Sequence, residues 1–159
     1  MRNLGEILIR PAKAGDGPGI LQCLAAAFEP YRADYTPEAY ADTVLDEPAL
    51  AERLQRMRVL VASSGGQVVG TVAGLLADGE GHMRGMAVVP ERRGSGLAAA
   101  LLTAIERWLK DQGCARVTLD TTLPLKAAMK FYENNGYRRS GRVVDFFGMP
   151  LVEYVKEFT

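Results

Sequence analysis

A stretch just past mid-chain, Val88-Val89-Pro90-Glu91-Arg92-Arg93-Gly94-Ser95-Gly96-Leu97-Ala98, brings together the parts of an anion site. A strand breaks at Pro90 and empties into a glycine-rich turn. A helix then starts near Gly96, with Leu97, Ala98, Leu101, Leu102, Ala104, Ile105, Trp108 and Leu109 at three-to-four spacing. The first N–H groups of a helix have no partner within it and carry the positive end of its dipole, which suits a phosphate or pyrophosphate. Gly94 and Gly96 lack a Cβ, so the backbone can take positive φ and approach the anion closely. Arg92 and Arg93 add positive charge at the same end. A P-loop would need Gly-x-x-x-x-Gly-Lys followed by Ser or Thr, and no lysine follows Gly96. A dinucleotide fold would open its first βαβ unit with Gly-x-Gly-x-x-Gly. Here the turn lies behind three expected strands, and Ala99 occupies the place of the third glycine. The plainer alternative is a strand-to-helix turn that binds nothing.

The elements around this turn alternate in a way that fixes the fold class. A short strand at residues 6–10 closes at Pro11, and Asp16 can cap a helix with Ile20, Leu21, Leu24 and Phe28 on its apolar face. Thr36-Pro37-Glu38 has the composition of a second helix start, and Pro48 divides residues 38–57 into two short helices. Residues 59–63, 68–76 and 82–89 form a meander, its first turn being Ser64-Gly65-Gly66-Gln67. The helix after the glycine turn ends at Gly113. A strand at 116–120, a helix at 126–135 ended by Gly136, and strands near 137–144 and 149–158 complete the chain. This is an α+β pattern: one mixed, mainly antiparallel sheet of about seven strands flanked by about four helices, with a single strand–helix–strand crossover at the glycine turn.

At 159 residues the chain is expected to be one domain, residues 1–159, with a substantial core. Lys+Arg and Asp+Glu balance at 19 each, so the composition predicts neither a nucleic-acid nor a membrane partner, though Arg84, Arg92 and Arg93 could form a local basic rim. Cys23 and Cys114 have no metal spacing and no disulfide framework, and no metal is expected; both read as reduced core residues. Residues 1–6 start no apolar run long enough for a signal or membrane segment, which predicts a cytoplasmic protein. A homodimer is compatible with the chain.

Two motifs carry a resemblance. Arg93-Gly94-Ser95-Gly96-Leu97-Ala98 is similar to the Arg/Gln-x-x-Gly-x-Gly/Ala signature of the GCN5-related N-acetyltransferase (GNAT) superfamily. About thirty residues later, Ala128-Met129-Lys130-Phe131-Tyr132-Glu133-Asn134-Asn135-Gly136-Tyr137 resembles its second block, Ala-x-x-x-Tyr-x-x-x-Gly-Phe/Tyr. Each motif is weak alone; their order and separation make the pair specific, and the matching elements cover residues 58–158. The resemblance implies a GNAT-like fold and acetyl-CoA, or a related acyl-CoA, as cosubstrate. It places the pyrophosphate on the N–H groups of Gly94, Ser95, Gly96, Leu97, Ala98 and Ala99, beside Arg93. In the family a β-bulge splays the preceding strand from its neighbour, and the freed backbone pairs with the pantetheine arm. That role falls on Met86, Ala87 and Val88, one N–H of which would polarise the thioester carbonyl.

The implied reaction is direct attack of a primary amine on the thioester, which poses two proton problems. An amine of pKa about 10.4 costs about 4–5 kcal/mol to neutralise at pH 7, and the departing thiolate needs a donor. Tyr132 matches the family's tyrosine acid; with ordinary pKa values, full donation to a thiol is uphill by about 2 kcal/mol, which favours a strong hydrogen bond or concerted transfer. Its other reading is an aromatic core residue beside Phe131, itself read as core. His82, the only histidine, and Asp120 both fall where relatives place catalytic acidic or basic residues. As general base, His82, Asp120 and water remain open; an exposed histidine and a strand-end aspartate are the structural alternatives. Leu125 departs from the family, where an Asn seven residues before the tyrosine bonds the CoA arm; Thr121 or Thr122 could replace it. Acceptor choice should rest on residues 29–40 and on Asp145-Phe146-Phe147-Gly148. A polyamine, an amino acid, an antibiotic, and a peptide N-terminus or lysine all stay open. The rival classes are a non-catalytic acyl-CoA-binding module and a nucleotide-phosphate binder.

Overall fold

The computed structural model describes residues 6–159; the N-terminal reading above falls mostly on residues 1–5, outside that range. Seven strands form one sheet in the order β1-β2-β3-β4-β5-β7-β6. They are β1 (Ile7–Pro11), β2 (Arg58–Ser64), β3 (Gln67–Ala77), β4 (Glu80–Val88), β5 (Arg116–Thr122), β6 (Arg138–Phe146) and β7 (Met149–Glu157). Among the described residues five α-helices accompany them, at the five segments read as helical: α1 (Gly17–Phe28), α2 (Pro37–Thr43), α3 (Glu47–Arg56), α4 (Leu97–Asp111) and α5 (Lys126–Asn134). Only β4 and β5 run parallel, joined by the crossover through α4.

Alternation along β2 shows how the sheet is buried on both faces. Val59 and Val61 pack with Ile20, Cys23, Leu24 and Leu50 of α1 and α3, whereas Leu60 and Ala62 pack with Leu101, Leu102 and Ile105 of α4. Cys114 belongs to the α4 side and Cys23 to the α1 side, both free thiols. On the α4 side the sheet surface is cut away. A Cβ on Gly70, Gly74 or Gly81 would lie 2.8, 2.9 or 3.0 Å from Leu101, Ile105 or Leu109, which stand one helical turn apart. These three glycines let α4 lie close against β3 and β4, which sets where its N-terminus points.

Two local expectations change. Asp16 occupies the position before α1 but makes no side-chain cap; its carboxylate accepts from Arg10 at 2.7 and 3.0 Å and from Lys13 N–H at 2.6 Å. Pro48 does not interrupt a helix. It lies in the first turn of α3, capped by Asp46, where a missing N–H costs nothing. Thr36 caps α2 as expected.

The sheet is irregular at one place that matters. Along β3 and β4, Thr71 pairs with Ala87 and Ala73 with Arg84, so β4 carries one extra residue at Gly85–Met86. Gly85 takes φ +68°, a conformation that L side chains rarely adopt. The bulge bends β4, and its pairing with β5 stops after Gly81–Val117, His82–Thr118 and Met83–Leu119. From there the two strands diverge. β5 remains fully paired with β7 on its other side, from Arg116–Glu157 to Thr122–Leu151.

Candidate active site

The divergence of β4 and β5 opens a cavity of about 570 Å³ that reaches both faces of the sheet, from Phe28, Tyr31 and Arg53 on the α1–α3 side to Leu97, Ala98 and Tyr132 on the α4–α5 side. One half of it is lined by backbone. Val89 N–H donates to Val69 O of β3 at 3.0 Å, and Ala87 stands opposite Thr71. Strand alternation therefore turns the main-chain groups of Val88 and Met86 to the opened edge and those of Ala87 to β3. Of the three residues expected to offer backbone there, Ala87 lines the cavity with its neighbours but has its N–H and C=O engaged on the other side.

The glycine turn closes this half. A 3₁₀ turn at Pro90–Arg92 leads to Gly94 and Gly96, at φ +74° and +87°, and α4 begins at Leu97. The first bond into the helix is Ala100 N–H to Gly96 O, which leaves the preceding N–H groups of its first turn without helical acceptors. Arg93, Gly94, Gly96, Leu97, Ala98 and Ala99 all line the cavity; Ser95 does not, its hydroxyl donating to Arg92 O at 2.5 Å. The two arginines brace the turn. Arg92 donates to Ser64 Oγ at 2.8 Å, and Arg93 to Ala27 O, at the end of α1, at 2.9 Å.

The other half is lined by side chains. His82 lies on β4 opposite Thr118 of β5, and its Nδ1 is 2.9 Å from Thr118 Oγ1. Asp120, two residues along β5 and so on the same face, approaches His82 Nε2 to 3.7 Å. Both groups are half-buried strand residues rather than loop ornaments. Burial pushes the His82 imidazolium below its ordinary pKa, against the pull of Asp120, and Arg84 adds to the fall. Burial also raises the Asp120 carboxyl, with Glu153 of β7 adding to the rise and His82 opposing it. Desolvation thus favours the uncharged form of each.

Tyr132 stands where the halves meet. It is buried on α5, packed edge-to-face on Phe131 and Tyr137, and lines the cavity. Desolvation pushes its phenol up to about 12. Phe131, expected in the core, is half-buried and lines the cavity as well. The two candidates to replace the missing asparagine separate cleanly. Thr122 Oγ1 is engaged by the Tyr35 hydroxyl at 2.6 Å, whereas Thr121 Oγ1 is buried and has no hydrogen-bond partner. Leu125 lines the wall beside them. The two segments expected to choose the acceptor come together: Thr36 Oγ1 donates to Phe147 O at 2.8 Å, and Tyr31, Tyr35 and Phe146 face the cavity.

Sequence reasoning missed Gly85, Thr118 and Arg53, all part of this site. Gly85 had a signal, a lone glycine inside a strand pattern. Thr118 shares the Asp120 face by simple alternation, but its meeting with His82 depends on the parallel register. Arg53 had none, being one of several charged residues on a short helix. No described helix is long and apolar enough to cross a membrane.

Comparison with known proteins places this geometry. The family model described as "Acetyltransferase (GNAT) family" matches residues 21–137. A probable N-acetyltransferase family 8 member 5 of Mus musculus is 36% identical over 88 residues, 52% of this chain and 39% of the relative. An aminoglycoside N(6')-acetyltransferase type 1 of Stenotrophomonas maltophilia is 35% identical over 71 residues, 45% of this chain and 46% of the relative. The chain thus matches less than half the length of these curated relatives. Among solved structures, the PaiA N-acetyltransferase of Thermoplasma acidophilum in complex with coenzyme A superposes with a TM-score of 0.80 at 17% identity, over 96% of this chain and 99% of that one. At that identity the likeness shows the fold.

Proposed function

The chain belongs to the acetyltransferase (GNAT) family, and on that premise we propose that it is an N-acetyltransferase, moving an acetyl group from acetyl-CoA to a primary amine by direct attack on the thioester. The observation that carries the proposal is the β4–β5 divergence, which joins a helix N-terminus and a free strand edge to a half-buried His–Asp pair in one cavity. The residues present fit the cosubstrate. The N–H groups of Gly94, Gly96, Leu97, Ala98 and Ala99 suit its pyrophosphate, that of Ser95 being taken by Arg92 O at 3.3 Å; the outward backbone of Met86 and Val88 suits its pantetheine amides, and the orphaned Thr121 hydroxyl would gain a partner there. Acetyl-CoA supplies an acetyl group activated as a thioester. Arg93 acts through position, fastening the turn to the end of α1.

The remaining steps belong to the chain's own groups. Met86 N–H, just past the bulge, would hold the negative charge that develops on the carbonyl oxygen. With Nδ1–H donating to Thr118, His82 Nε2 presents its lone pair to the incoming ammonium, and Asp120 stabilises the imidazolium that results. The depressed His82 pKa keeps the ring neutral at pH 7, as a base requires. Against a thiol at about 8.5, complete donation from a phenol at about 12 is uphill by about 5 kcal/mol. Tyr132 therefore hydrogen-bonds the departing sulfur, with proton transfer no more than concerted.

The whole chain acts as one domain, and buried reduced thiols at Cys23 and Cys114 suit a cytoplasmic setting. The test is an amine-panel assay following thiol release from acetyl-CoA, with melting shifts for acetyl-CoA and ATP in parallel. Amine-dependent release, and about 2.7 kcal/mol of stabilisation at acetyl-CoA a hundredfold above its Kd, is the expected result. Binding without turnover on any amine would leave an acyl-CoA-binding module; stabilisation by ATP alone would reject the cosubstrate.

A further inference from the structure

Seven of the fourteen arginines of this chain have a visible purpose. Arg10, Arg32, Arg56, Arg116 and Arg138 each meet a carboxylate within 3.5 Å, and Arg92 and Arg93 brace the turn. Arg53 is different. It rises from α3 over the β4 bulge, half-buried in the cavity wall, and among the described residues it has no hydrogen-bond acceptor and no ion pair. Its guanidinium lies against the bulge itself: a Cβ on Gly85 would meet Arg53 Nη1. The charge of Asp42 reaches it without forming an ion pair, and Arg84 adds a like charge that opposes it. A guanidinium withdrawn from water without an anion costs free energy that a bound carboxylate would recover.

The location says whose carboxylate. Gly85 is one residue, about 3.8 Å along the chain, from Met86, whose N–H is proposed to face the thioester carbonyl. Arg84 lies within electrostatic reach of both Arg53 and the His82–Asp120 pair. The cavity therefore offers cations beside the reacting carbon and, a short step along β4, an acid–base pair suited to an ammonium. We infer that the acceptor is an amine carrying a carboxylate next to its amino group, an amino acid, with Arg53 receiving the carboxylate and Arg84 supporting it. This rests on the acetyl-transfer reading and names the substrate class that reading leaves open. Tyr31 and Phe28, at the cavity wall, leave an apolar place for the side chain. A polycationic acceptor would bring its charges against two arginines.

The experiment compares the coded amino acids with their carboxamides, which keep the side chain and amine but lose the anion. The best amino acid should exceed its own carboxamide in kcat/KM by at least about tenfold, and Arg53→Gln should collapse that ratio, with Arg53→Lys restoring part of it. Binding of the corresponding N-acetylamino acids, measured with CoA present, should weaken by about tenfold or more in Arg53→Gln. Acids and amides used equally well, or a ratio that Arg53→Gln leaves intact, overturns the inference while acetyl transfer stands. If no amine turns over, binding decides: N-acetylamino acids held by the wild type and released by Arg53→Gln keep the carboxylate site and reject the acetyl-transfer reading. Binding that ignores Arg53 rejects the site.

Discussion

The two halves of the cavity are made of different materials. The half along the glycine turn and the outer edge of β4 offers backbone N–H and C=O groups, and the nearby side chains brace rather than bind. The half between β4, β5, α1 and α3 offers His82, Asp120, Arg84 and Arg53, fixed by strand register and helix packing. Backbone geometry is specified by a few glycines in one short stretch, so it tolerates changes of side chain. A side-chain site is assembled from four elements and changes with each of them. On the proposed reading, a cosubstrate half of this kind can be kept while the acceptor half is rebuilt.

Substitutions can break this contrast, and the largest effect should come from the side-chain half. His82→Ala should lower kcat by about 10³-fold, the scale of a lost general base, with KM for acetyl-CoA little changed. A loss below tenfold would pass the role to Asp120 or to water. Gly85→Val attacks the seam: a β-branched residue at φ +68° against Arg53 should cost about 2–3 kcal/mol of stability and about 10²-fold in turnover. Steady-state kinetics with urea melts would show both. Tyr132→Phe should slow turnover by about 10–30-fold without weakening CoA binding, as befits loss of one hydrogen bond to a charged sulfur. An unchanged rate would remove the tyrosine from the mechanism.

A smaller effect is one of pH. His82 titrates below its ordinary 6.5, so kcat at saturating acceptor should fall only on the acid side of that value and stay level through pH 7 and 8. Asp120 raises the His82 pKa, so Asp120→Asn should move the limb to still lower pH, with Arg84 pushing the same way. The smallest effect belongs to the backbone half: Ser95→Ala removes only the bond to Arg92 O and should change acetyl-CoA affinity by less than about threefold.

The same contrast governs what the sequence could say. Gly94, Gly96 and the apolar spacing after them mark a helix N-terminus aimed at an anion, because local chain conformation is written in local residues. The sheet with its single crossover followed from strand and helix periods, and Tyr132 from its place in a motif. Asp16 was misread because an N-cap composition does not reveal a competing partner, here Arg10 six residues earlier. Arg53 was illegible for a stronger reason. Its meeting with Gly85 joins two residues thirty-two positions apart through the reach of one side chain from α3 to the β4 bulge, which no period along either segment records. Thr121 and Thr122 looked equivalent until Tyr35, from a distant turn, engaged one and left the other free.

The central claim, a backbone-built cosubstrate half beside a side-chain-built acceptor half, is tested most directly by titrating acetyl-CoA into the isotopically labelled protein and following its backbone amides by NMR. The claim predicts large shifts and slowed hydrogen exchange at Met86, Val88, Gly94, Gly96, Leu97, Ala98 and Ala99. Ala87, already bonded to β3, should keep its exchange rate. Shifts that leave the glycine turn and the β4 edge untouched, or that centre on the His82–Asp120 face instead, would contradict it.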